Sequence, residues 1–347
     1  MDFGDRYRAF DRLQRRHRLL GFPLAVLQKY SDDQGAYLAA TIAYYAFFSI
    51  FPLLLVFTTV LGYVLGGHGH LYRSLVASAL GQLPVIGRQL HTHSLTGNGL
   101  ALGVGIAGAL WAGMGVFLAS QDAMNQIWGV PFNRRPDFLR SRLRALELLL
   151  LLGGGILATT VLAGLGSFGA GYGVLWKIGS IALSTVLNVG LFWVGFRLLT
   201  ARDVTWRRLR GGAIAAAVAY EILQALGGYY VGHAVRGASQ TYGTFALVIG
   251  LLSWIYLASH VTLLAAEANA VATRRLWPRS FSLVIEQPAT EADKHALAQR
   301  TKVEERRGDE TVEVAFRDQD GAASGEREPS DRESQRRLGT RSSRERT

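Results

Sequence analysis

Cysteine is absent from the 347 residues, which excludes disulfides, thiolate metal sites and cysteine nucleophiles. Charge is scarce over most of the length. The first 272 residues hold 21 Lys and Arg and 11 Asp and Glu, whereas the last 75 hold 16 and 15. The formal net charge of +11 therefore conceals an apolar body joined to a highly charged tail. Also missing from the first thirty residues is a compact apolar stretch followed by a small-residue cleavage site, so no cleavable signal peptide is expected. What the body does have is a series of apolar runs of about 18 or more residues, the length that crosses a roughly 30 Å hydrocarbon core. Runs of that kind exclude a soluble catalytic fold for most of the protein.

Six such runs read as membrane spans, at about 37–64, 100–120, 145–165, 178–199, 212–235 and 245–266. The expected fold class is all-α, a polytopic membrane protein. Residues 1–30 form a basic amphipathic segment, 31–272 the six-helix membrane domain and 273–347 a charged tail. Phe3, Tyr7, Phe10 and Leu13 recur at helical spacing in the first segment, with arginines on the other face. Residues 66–98 are too polar to span; Leu71, Leu75, Leu80 and Leu83 fit an amphipathic helix on the outer surface. The tail has few aromatics and many Arg, Glu, Asp and Ser, and is expected to be disordered from about Glu291 onward.

Lys and Arg collect in alternate connections, as in Arg134, Arg135, Arg140, Arg142 and Arg144, then Arg202, Arg207, Arg208 and Arg210. Short loops rich in these residues stay in the cytoplasm, so both termini are expected there. The same arginines would meet anionic headgroups, which makes membrane lipid the expected partner and removes the need for nucleic acid. Whether the chain forms a homo-oligomer is left open.

A carboxyl within a span is costly unless it meets water or a partner. Glu221 lies about ten residues into the fifth run, and Asn188 falls at similar depth in the fourth, so a contact between them is expected. Glu221 is either a proton-binding or substrate-binding carboxylate in a cavity, or a neutral, hydrogen-bonded group that holds helices together. His260 is a third polar candidate. Tyr44, Tyr45 and Ser49 precede Pro52, which removes a backbone donor and should kink the first span. A second polar group gathers toward the cytoplasmic face: Asp122, Asn125, Glu147, Arg197 and Glu267. Gly103, Gly105 and Gly108 spell G-x-G-x-x-G without a preceding strand, so close helix packing is their expected use, not nucleotide binding. His68, His70, His91 and His93 form two H-x-H pairs in the outer loop, a weak zinc candidate without a carboxylate in view. No cofactor is expected.

Residues 39–54, AATIAYYAFFSIFPLL, resemble the first-span signature of the YihY/virulence factor BrkB family, and residues 121–129, QDAMNQIWG, and 252–257, LSWIYL, fit it as well. The resemblance covers about residues 20–275 and implies a six-span protein of the bacterial inner membrane. It also carries a former ribonuclease BN label, a link to serum resistance and a link to export of a lipopolysaccharide precursor. No cluster of His and carboxylates typical of a metallonuclease supports the ribonuclease label in this sequence. The leading expectation is a transporter or flippase-like protein for an amphipathic, lipid-derived anion, working around Glu221, Asn188 and Pro52. The alternatives are a non-transporting scaffold or envelope regulator, and a lipid-acting enzyme using Asp122 with Glu267; the non-enzyme reading is preferred.

Overall fold

The protein is described by a computed structural model covering Asp11 and residues 13–15, 17–64, 99–168, 174–200, 204–230, 244–280 and 290–316. The helices are α1 (Arg18–Asp32), α2 (Gly35–Val64), α3 (Gly99–Ile127), α4 (Phe138–Phe168), α5 (Val174–Leu199), α6 (Trp206–Tyr230), α7 (Thr244–Arg274) and α8 (Glu291–Lys302), with a 3₁₀ turn at Phe132–Arg134. Among the described residues there is no strand. Each of the six expected spans coincides with one of the long helices α2 to α7. By length and apolarity alone, Val248–Arg274 is the one helix among the described residues that qualifies as a span, while Gly35–Ile50 and Thr185–Leu199 are apolar but shorter.

The six long helices close into a ring, α2 on α3, then α4, α5, α6, α7 and back to α2, with α3 also touching α5 and α7. Side chains packed between α3, α7 and the neighbouring helices include Met124, Ile127, Leu263, Ala266 and Ala270. Small residues there let the helices approach closely, which is how helices associate when lipid removes the hydrophobic drive between them. The outer surface is apolar instead: Leu150, Leu151, Leu183, Val186, Ile222 and Leu226 are all exposed. An exposed apolar surface of this extent suits contact with acyl chains.

Close approach is clearest where α6 meets α7. A Cβ at Gly227 would lie 2.1 Å from a ring carbon of Trp254, so only glycine fits. Gly103 and Gly108 have nothing within 4 Å, which corrects the expectation that they serve helix packing. Gly227→Ala should therefore lower stability by roughly 1–3 kcal/mol through overpacking, while Gly103→Ala should leave it unchanged or slightly raised. Thermal unfolding of the two variants in detergent tests this pair; equal midpoints would refute it.

The helices outrun the expected spans at one end, where several of the described residues cap the ring. α3 continues to Ile127 and terminates in a left-handed turn at Gly129, with φ of +54°. Its last carbonyls are capped by cations from elsewhere: Lys29 donates to Ile127 O at 3.0 Å and Arg274 donates to Trp128 O. Positive groups suit this position, since the helix dipole ends in unpaired carbonyls.

The tail departs from its expected disorder. α8 begins with a capping box in which the Thr290 hydroxyl accepts from Asp293 N and the Asp293 carboxylate accepts from Thr290 N. Beyond it, Phe132 N donates to Val303 O at 3.1 Å and Asn133 N to Glu305 O at 3.0 Å, fastening the tail to the α3–α4 loop. Disorder thus fails as a description of residues 290–316, because local capping and docking supply what composition alone does not. Residues 317–347, the aromatics Phe3, Tyr7 and Phe10, and the 66–98 loop lie outside the described residues. Leu13, described from that N-terminal stripe, is exposed, and its neighbour Gln14 is buried and donates to Arg279 O at 3.0 Å.

Candidate functional site

Three ionisable groups are buried together at the capped end of the ring. Lys29, in the last turn of α1, pairs with Asp33 one turn on and with Glu267 of α7 at 2.9 Å. Glu267 is 0% exposed and the side chains of Lys29 and Asp33 are each 7% exposed. With all three ionised, two carboxylates face one ammonium, so the cluster holds one negative charge in excess. Burial pulls the Lys29 pKa down, but Glu267 and Asp33 outweigh it and the ammonium ends above its ordinary value. Next to this cluster the Tyr30 hydroxyl lies 2.7 Å from His260 Nδ1, and the His260 ring leans on Tyr256. His260 and Glu267 are seven residues apart on α7, about 10.5 Å along the axis, so the Tyr30–His260 contact lies about two turns from the cluster.

Of the candidates read from the sequence, Asn188 and Glu221 meet: Asn188 Nδ2 donates to Glu221 Oε1 at 2.7 Å between α5 and α6. Glu221 is exposed and Asn188 half-buried, and exposed Val218 and Ile222 flank Glu221 on α6. The carboxyl is not sealed inside a dry helix interface.

The α2 residues lie elsewhere in the ring. Among the described residues α7 stands between α2 and α6, so the helix that carries Pro52 does not pack directly on the one that carries Glu221. Helix α2 continues through Pro52 to Val64. The Ser49 hydroxyl turns back to Ala46 O at 2.8 Å, Tyr44 stacks edge-on with Tyr45, and Tyr44 and Tyr45 remain exposed. His260 belongs with Tyr30, not with Glu221.

The polar group toward the arginine-rich end divides. Glu267 joins Lys29, whereas Asp122 faces Arg135 at 3.7 Å, so the acid and base pair that a lipid-acting enzyme would need has each member engaged with a different cation. Asn125 is buried, Arg197 is half-buried on α5, and Glu147 is exposed on α4. Gln121, Asp122 and Asn125 line a cleft of about 450 Å³ with Arg135, Asp137 and Ser141. No cluster of three or more His, Asp or Glu with metal-binding geometry occurs among the described residues, and His68, His70, His91 and His93 lie outside them.

Lys29 and Asp33 were missed because a lysine near a basic N-terminus reads as a topology signal. Their spacing of four, followed by an apolar helix, was the available clue.

Comparison with known proteins bears on this architecture. The family model described as Virulence factor BrkB matches residues 26–281, which takes in Lys29, Glu221 and Glu267. A protein named as ribonuclease-like, YfkH of Bacillus subtilis, is 24% identical over 274 residues, 74% of this chain and 96% of its own. A UPF0761 membrane protein of Aromatoleum aromaticum is 36% identical over 164 residues, 45% of this chain and 39% of its own. The inner membrane protein YhjD of Escherichia coli is 23% identical over 292 residues, 76% of this chain and 84% of its own. The matched region thus spans less than half of the Aromatoleum relative and half of a similar protein from Ralstonia nicotianae. No solved structure matches the chain. A family match that runs through all six long helices, on a ring with an apolar exterior, makes the chain an integral membrane protein of the BrkB family.

Proposed function

We propose that the protein crosses the bacterial inner membrane six times, with both termini in the cytoplasm, and acts as a transporter or flippase-like protein for an amphipathic or lipid-derived substrate. One observation carries the proposal: Glu221, in the middle of a long helix, is exposed on an apolar face, and among the described residues its hydrogen-bond partner is Asn188. A carboxyl at the bilayer centre costs roughly 2.5–3.5 kcal/mol on insertion scales, more than a lone amide contact returns, so the face it sits on serves something polar. A headgroup drawn along that face by the carboxyl and amide would have its apolar chains beside Val218 and Ile222. The arginine-rich connections at one end would collect anionic substrate first.

The test is lipid scrambling in proteoliposomes, read by quenching of a fluorescent headgroup at the outer leaflet. The wild type should move the label, and Glu221→Gln should slow it about tenfold or more while inserting and folding normally. Equal rates for the two, or no movement by either, would overturn the proposal. The scaffold alternative is separated by removing residues 317–347: a transporter built on the ring keeps its rate, and a scaffold acting through the tail loses its cellular phenotype.

A further inference from the structure

The cleft beside Asp122 takes no part in the Glu221 proposal and has a chemistry of its own. It opens between the last turns of α3, the loop that follows and the first turn of α4, with a volume of about 450 Å³. That is ample for a small polar headgroup and a few bridging waters.

Its one lining cation is held in place. Arg135 lies over the Phe132 ring at 4.1 Å and donates from Nε to Val130 O at 3.3 Å; its Nη2 is buried without a hydrogen-bond partner, and its Nη1 faces Asp122. Two lining carboxylates are only loosely engaged. Asp122 is 70% exposed with Arg135 Nη1 at 3.7 Å, beyond hydrogen-bond range, and Asp137 is 81% exposed with Arg140 at 4.0 Å. Glu304 and Arg306 nearby pair with each other at 3.9 Å and add no net charge. The lining residues therefore set two carboxylates against one fixed positive group, with the exposed Arg140 outside the lining as the loose counter-ion of Asp137.

The cleft also adjoins surface suited to the edge of a membrane. Phe138, Leu139, Leu143 and Trp111 are exposed, and Arg142 lies over the Trp111 ring at 5.2 Å and the Phe138 ring at 4.2 Å. Aromatic rings and arginines in this arrangement mark the headgroup level, with acyl chains beyond.

Those features select among headgroups. A wholly anionic one would meet two carboxylates with nothing to offer them. A quaternary ammonium has no N–H for a carboxylate and needs an open aromatic face, but the Phe132 ring is already covered by Arg135. A phosphodiester carrying a primary ammonium satisfies both ends, since phosphate oxygens accept from guanidinium and the ammonium donates to carboxylates. We infer that this cleft binds the headgroup of an aminophospholipid, with Arg135 on the phosphate and Asp122 and Asp137 on the primary ammonium.

The experiment is native mass spectrometry of the full chain in detergent, offered phosphatidylethanolamine, phosphatidylcholine and phosphatidylglycerol with identical acyl chains. The wild type should retain phosphatidylethanolamine about tenfold over each of the others. Asp122→Asn with Asp137→Asn should reduce that preference to within about twofold, and Arg135→Gln should lower retention of all three. Equal retention by the wild type overturns the assignment without reference to any variant, and so does a preference that survives in the double variant. Soluble glycerophosphoethanolamine is the last arm: displacement of bound lipid at micromolar concentration would reassign the cleft to a free ester, and persistence of the lipid supports a membrane source.

Discussion

Lys29→Met should destabilise the protein by about 3–5 kcal/mol. The substitution keeps the length and apolar volume of the side chain and removes only the ammonium. Glu267, 0% exposed, and Asp33 would then face each other without a cation, and Ile127 O at the end of α3 would lose its donor. Because α1, α3 and α7 all converge on this nitrogen, the damage would spread across three helices. Denaturant unfolding followed by intrinsic tryptophan fluorescence checks it, and a loss below about 0.5 kcal/mol would refute it. Replacing all three members, Lys29→Met with Asp33→Asn and Glu267→Leu, should recover much of the stability, since no charge is then left buried without a partner. The pH dependence follows from the raised Lys29 value. A cation whose pKa is higher in the folded state contributes fully below its ordinary value of 10.5 and loses that contribution as pH rises through the folded value. The wild type should therefore weaken above about pH 10.5 by an increment that Lys29→Met lacks.

Much of this architecture is written in periodicity. Long apolar runs bounded by arginines located the six helices, and counting residues from the ends of two neighbouring runs placed Asn188 level with Glu221, where the structure has them bonded. Lys29 illustrates what such counting misses. A tally of basic residues assigns a side to the membrane, but it is blind to which lysine turns inward, and that depends on Glu267, 238 positions away in the chain. The tail illustrates a second limit. Averaged over many residues, its composition is that of a solvated chain, yet Thr290 and Asp293 at a spacing of three start a helix, and Arg279 gives it a place to dock. The α2 candidates show a third. Pro52, Tyr44 and Ser49 are adjacent along one helix, but only the order of helices around the ring decides whether they neighbour Glu221, and no periodic pattern encodes that order.

Arg279→Ala should release α8 from the membrane body at a cost of about 2–3 kcal/mol, less than Lys29→Met because its partners keep some contact with water. Arg279 donates from Nη1 to Asp32 at 2.7 Å and from Nε to Asp293 at 3.0 Å, so one half-buried guanidinium ties the end of α1 to the start of α8. Asp293 is held from several sides at once, accepting from Ser280 N and Oγ at 3.0 and 2.6 Å and from Thr290 N and Oγ1 at 3.0 and 2.7 Å. Burial works against its charge, yet these donors prevail and keep the Asp293 carboxyl below its ordinary value. A depressed carboxyl stabilises above its unfolded value of 3.8 and loses that contribution as pH falls through the folded value, so docking of α8 should fail in strong acid before the ring itself opens. Amide exchange across residues 291–302 should accelerate by roughly 30- to 100-fold in Arg279→Ala at neutral pH. Trypsin should then cut at Lys294, Arg300 and Lys302 while α7 stays intact. If α8 kept its protection, the backbone bonds from Phe132 and Asn133 and the Arg274 contact with Gln299 would be sufficient to dock it, and the guanidinium between Asp32 and Asp293 would be an ion pair of no consequence.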